Sequence, residues 1–87
     1  MLLRITVYKN NETYYSSMDF PRKIEDPQPK RLGQGVFSIA KVMPADEVEI
    51  NMNDFVREIE AVVIAEAKTR GITSVVNLFD EQQPTPF

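Results

Sequence analysis

The sequence predicts one small α+β domain, an antiparallel sheet of three to five strands with one helix packed on one face, in the order β-β-β-(β)-α-β. Three observations lead there. Two β-rich stretches flank a pair of asparagines near the N-terminus, residues 53–71 carry apolar side chains at helical spacing, and further β-branched runs lie on either side of that helix. At 87 residues and 43% hydrophobic composition the chain is too short for two ordinary domains and too apolar for a disordered polypeptide. The domain is assigned to residues 1–79 and a flexible tail to 80–87.

The first element is a hairpin. In "LLRITVYKNNETYYSSMDF" the turn falls on Asn10-Asn11, because asparagine tolerates the positive φ of a tight hairpin turn. A two-residue loop there sets Lys9 opposite Glu12, Val7 opposite Tyr14, Ile5 opposite Ser16 and Leu3 opposite Met18, which gathers apolar residues on one side. Arg4, Thr6, Tyr8, Thr13, Tyr15 and Ser17 fall on the other side, expected to face water.

From Pro21 to Gly35, "PRKIEDPQPKRLGQG" holds three prolines and two glycines and has no period, so it reads as a long Pro/Gly-rich loop and as the most mobile internal segment. "VFSIAKVM", Val36–Met43, is a third strand stopped by Pro44, and "EVEI", Glu47–Ile50, is an optional short fourth. In the helix, Asn51 or Asn53 suits the cap, Asp54 suits the positive end of the dipole, and Gly71 supplies a left-handed stop. Its apolar stripe comprises Met52, Phe55, Val56, Ile59, Val62 and Val63. "ITSVVNLF", Ile72–Phe79, closes the domain as a last strand.

Composition removes several chemistries. The chain has no histidine and no cysteine, hence neither the usual neutral-pH base nor a thiol nucleophile, and it lacks the commonest transition-metal ligands. No phosphate-binding glycine loop or nucleophile elbow is present; Gly33-Gln34-Gly35 leads into strand residues. Glu49, Asn51 and Asn53 alternate like the start of a calcium loop, but the position that needs glycine is Asp54, so a helix cap explains them better. Glu66 and Arg70 fall near the end of the apolar stripe and read as an i,i+4 ion pair rather than a catalytic group. No metal and no cofactor is expected, and no catalytic residue is assigned.

The net charge of −3 hides an asymmetry: residues 1–43 carry seven basic side chains against four acidic, and residues 44–87 three against nine. The expected function is therefore that of a small non-enzymatic protein, a regulator, inhibitor or accessory subunit, that acts through protein–protein contact with a partner or a second copy. Candidate contact residues are Arg4, Tyr8 and Tyr15 on the polar side of the hairpin, and Ala61, Ile64 and Ala65 on the outer side of the helix. The first alternative is a nucleic-acid-binding module that uses the hairpin face with Arg22, Lys23, Lys30 and Arg31; the second is a carboxylate-based enzyme. With no cysteine, no export signal and no apolar run near the roughly 20 residues that span a bilayer, a cytoplasmic location away from the membrane is expected.

Overall fold

A computed structural model describes residues 1–27, 33–43, 52–77 and 84–86. The domain is α+β as expected. Its strands are β1 (Leu2–Asn10), β2 (Thr13–Asp19), β3 (Gln34–Val42), β4 (Ser74–Asn77) and β5 (Pro84–Pro86), and its helix is α1 (Met52–Thr69). They form one five-stranded sheet in the order β3-β1-β2-β4-β5. The optional strand Glu47–Ile50 lies outside the described residues.

β1 and β2 make the expected hairpin, but the turn sits one residue later, on Asn11-Glu12. Asn11 takes the positive φ, 57°, and tolerates it better than most residues. Pairing therefore shifts by two positions, with Lys9 opposite Tyr14, Ile5 opposite Met18 and Arg4 opposite Asp19. A shift of two preserves the faces that a shift of one would invert. Leu3, Ile5 and Val7 thus keep a common side and enter the core.

β3 begins at Gln34, two residues earlier than expected, and runs antiparallel to β1 with an irregularity where Tyr8 meets Gly35 and Val7 meets Phe37. Just before it, Gly33 has φ 92°, and a Cβ at that position would collide with the Lys9 carbonyl. Glycine is required there for both reasons.

α1 lies on the same side as Leu3, Ile5 and Val7, and buries Phe55, Ile59, Val63 and Ala67, one residue per turn at intervals of four. Val56 packs at the margin, whereas Met52 and Val62, expected in the stripe, remain exposed. Met52 opens the helix and Val62 sits off the line of four-residue steps. At the other end the Ile72 amide donates to the Ala67 carbonyl at 2.9 Å and the Gly71 amide to the Lys68 carbonyl at 3.0 Å, with Gly71 at φ 80°. This is a Schellman stop, completed by the buried pair Ala67 and Ile72. The Glu66–Arg70 pair forms at 2.9 Å, and the Arg70 guanidinium also covers the Phe37 ring at 5.0 Å.

The sheet is mixed rather than wholly antiparallel, because β4 runs parallel to β2. The helix carries the chain from β3 across the sheet to the far side of the hairpin, and such a crossover returns the next strand in the same direction. Residues 84–86, expected in a tail without period, pair antiparallel with β4. Main-chain pairing at an edge needs no side-chain period and tolerates proline, since half of an edge strand's amides face no neighbour. Among the described residues no helix is long and apolar enough to cross a membrane.

Candidate functional site

The polar side of the hairpin was expected to face water, and the structure corrects this. Arg4, Thr6, Tyr8 and Ser17 are all buried, although they alternate with core residues and carry polar groups. Thr13 and Tyr15 are half-buried. β1 is the second strand of a five-stranded sheet, with neighbours on both edges, and it is shielded on both faces.

Arg4 is the centre of this face. Its Nε and Nη2 donate to the two carboxylate oxygens of Asp19 at 2.9 and 2.6 Å, a bidentate pair of the strong kind. Nη1 donates to the Asp26 carbonyl at 2.8 Å and Nη2 to the Pro27 carbonyl at 3.2 Å. The guanidinium pKa is raised by the hydrogen bond to Asp19, against the opposing effect of burial. A buried guanidinium with internal partners offers nothing to a phosphate. Arg4 is therefore a structural anchor, and what it anchors is the segment after β2.

That segment is built as a tight turn. The Asp26 carboxylate accepts the Arg22 amide at 2.7 Å and the Lys23 amide at 3.2 Å, while the Asp26 amide donates to the Lys23 carbonyl at 3.1 Å. Pro21, at its start, is buried. The loop expected to be the most mobile is, over residues 21–27, held from below by Arg4 and from within by Asp26. On its outside, Phe20 is 49% and Ile24 64% exposed, with Arg22, Lys23 and Glu25 also exposed. Neither Phe20 nor Ile24 was singled out from sequence. The signal was present in "FPRKIEDP": one large apolar residue, Ile24, inside a charged run bounded by Pro21 and Pro27, and a second, Phe20, immediately before it.

The other expected contact residues lie apart from this turn. Tyr8 is buried and stands opposite the half-buried Tyr15 in the hairpin, so the pair is not an open stacking platform. On the helix, Ala61 and Ala65 are exposed and Ile64 is half-buried, which leaves only a small apolar surface there. Arg22 and Lys23 belong to the turn, whereas Lys30, Arg31, Glu49 and Asn51 lie outside the described residues. Among the described residues no three carboxylates come together as a metal site. Comparison with protein-family models, curated proteins and solved structures gives no match for this chain.

Proposed function

We propose that this is a small non-enzymatic binding protein of the cytoplasm that acts by contact with another protein, as a regulator, inhibitor or accessory subunit. One observation carries the reading: Ile24 and Phe20 are exposed on a turn whose backbone is fixed by Arg4 and Asp26. Large apolar side chains in water are costly to display on a mobile loop and useful on a rigid one. A turn already ordered in the free protein loses little conformational entropy on binding, and an apolar anchor beside cations fits a partner's pocket with an acidic rim. The burial of Arg4 and Tyr8 weakens the nucleic-acid alternative, because stacking and phosphate contacts need those groups open.

The test is affinity capture from the native lysate, with and without nuclease, using the wild-type chain and Ile24→Glu. The expected result is a defined protein recovered by wild type irrespective of nuclease and lost with Ile24→Glu, whose circular dichroism is unchanged. Recovery of nuclease-sensitive material alone, or equal recovery by both chains, overturns the reading.

A further inference from the structure

Among the described residues the four most exposed large apolar side chains are Val42 at 66%, Ile24 at 64%, Met1 at 59% and Phe20 at 49%. They come from three separate stretches of the sequence, and the topology gathers them at one end of the sheet. Val42 ends β3 and stands opposite Leu2. The Met43 amide donates to the Met1 carbonyl at 2.6 Å, so Met1 lies beside the same strand end. On the other side of β1, Phe20 follows directly on Asp19, the last residue of β2 and the ladder partner of Arg4. Ile24 belongs to the turn that Arg4 holds through the Asp26 and Pro27 carbonyls. Arg4 pairs with Ala40, two residues before Val42, so Arg4 and Val42 fall on the same face of the sheet. Scattered apolar residues on a surface need no explanation, but four of this size at one end do. The charges there are one-sided as well. Lys41, Arg22 and Lys23 are exposed, and Glu25 is the one exposed carboxylate in residues 1–4, 19–27 and 41–43. Asp19 is taken up by Arg4, and Asp26 by the amides of Arg22 and Lys23. Since the whole chain carries −3, this excess of cations is local.

We propose that this end of the sheet docks an acidic amphipathic helix of a partner protein, with Val42, Phe20 and Ile24 against its apolar stripe and Lys41, Arg22 and Lys23 against the carboxylates that flank it. Such a helix presents repeated apolar holes between side chains at i, i+3, i+4 and i+7, and these receive projecting anchors. The spacing suits it. The ends of β3 and β2 lie on either side of β1, two strand spacings or about 10 Å apart, close to the roughly 11 Å of two helical turns. Opposite charges around an apolar centre speed encounter and fix orientation. An apolar patch with cations also suits an anionic lipid surface, but the exposed Glu25 beside Ile24 opposes entry into one. A helix about 10 Å wide leaves that carboxylate in water.

This surface includes the turn at residues 20–27 and so rests on the reading of that turn as a contact, while Val42 and Lys41 carry it onto β3 and allow the two to be told apart. The full chain is titrated, with amide NMR as the readout, against three probes. One is a synthetic peptide of about 20 residues, long enough to be helical in water, with leucines at helical spacing and glutamates and alanines elsewhere. The second has lysines in place of the glutamates, and the third is a phosphatidylglycerol vesicle. The acidic helix is expected to bind, to shift the amides of Phe20–Ile24 and Lys41–Val42 most, and to weaken with added salt. The lysine helix should bind at least about tenfold more weakly. Val42→Glu and Ile24→Glu should each weaken the acidic helix at least about tenfold, by setting a like charge in the centre of the contact. Thr73→Glu, exposed just before β4 and hence at the opposite end of the sheet, should leave binding unchanged. Absence of binding to the acidic helix, equal binding of the lysine helix, binding to vesicles alone, or a loss confined to Ile24→Glu overturns the proposal. The reading of the turn as a contact falls separately, when capture from the lysate is indifferent to Ile24→Glu.

Discussion

Thr6 and Ser17 stand directly opposite each other across β1 and β2, both almost completely buried, and neither hydroxyl has a hydrogen-bond partner among the described residues. A buried hydroxyl that has given up its water and gained nothing in exchange costs about 1–3 kcal/mol. Thr6→Val keeps the branched shape, suits a strand, and removes that cost. It should leave the fold intact and raise stability by about 1 kcal/mol in urea unfolding. A loss of 1 kcal/mol or more would mean that the hydroxyl is in fact satisfied.

Arg4 and Asp19 form the other notable pair of this face, 2.6 Å apart with side-chain exposures of 4% and 22%. Removing one member of such a pair strands the other, and Asp19→Ala should cost about 3 kcal/mol, the low end of the range for buried pairs because Asp19 keeps some contact with water. Arg4→Met removes the donors to the Asp26 and Pro27 carbonyls as well, so it should speed hydrogen exchange at the Asp26 amide more than in α1. The raised pKa of Arg4 fixes the sign of the alkaline dependence. Its contribution is fully present below the ordinary arginine value and is lost only as pH rises through the higher folded value. The cost of Arg4→Met should therefore be the same at about pH 7 and about pH 10.

Two glycines adopt positive φ for different reasons, and alanine separates them. At Gly71 a Cβ meets nothing within 4 Å, so Gly71→Ala should cost only the strain of the left-handed backbone, about 1–2 kcal/mol. At Gly33 the same strain is joined by collision with the Lys9 carbonyl, and main chain in a paired strand cannot yield cheaply. Gly33→Ala should be the more damaging by a clear margin in thermal unfolding. Equal costs would place the collision elsewhere.

The parts of this fold legible in the sequence are those set by short-range rules. The division of the hairpin into faces, the helix and its stop at Gly71 follow from period and from glycine's freedom. The site was hidden by a single register error. With the turn on Asn10-Asn11, Arg4 stands opposite Ser17 and looks like surface; with it on Asn11-Glu12, Arg4 stands opposite Asp19 and the ion pair is evident. The chain beyond β2 then folds back onto that pair, a long-range event with no periodic signature. For the same reason the exposure of Phe20 and Ile24 could not be read from their apolar character, which argues for burial.

The helix offers a graded test of where its buried stripe lies. Ile59 is completely buried between sheet and helix, Ile64 is half-buried on the outer flank, and Val62 is 37% exposed. If the stripe follows Phe55, Ile59, Val63 and Ala67, truncation to alanine should register burial rather than hydrophobicity. Ile59→Ala leaves a cavity against Leu3, Ile5 and Val7 and should cost about 2–5 kcal/mol. Val62→Ala removes little buried area and trades a β-branched residue for the best helix former, so it should cost less than about 0.5 kcal/mol or even stabilise. Ile64→Ala should fall between them. The stripe drawn from sequence alone, with Val62 inside and Ile64 outside, reverses the order of the last two, so chemical unfolding of the three variants distinguishes it from the observed helix.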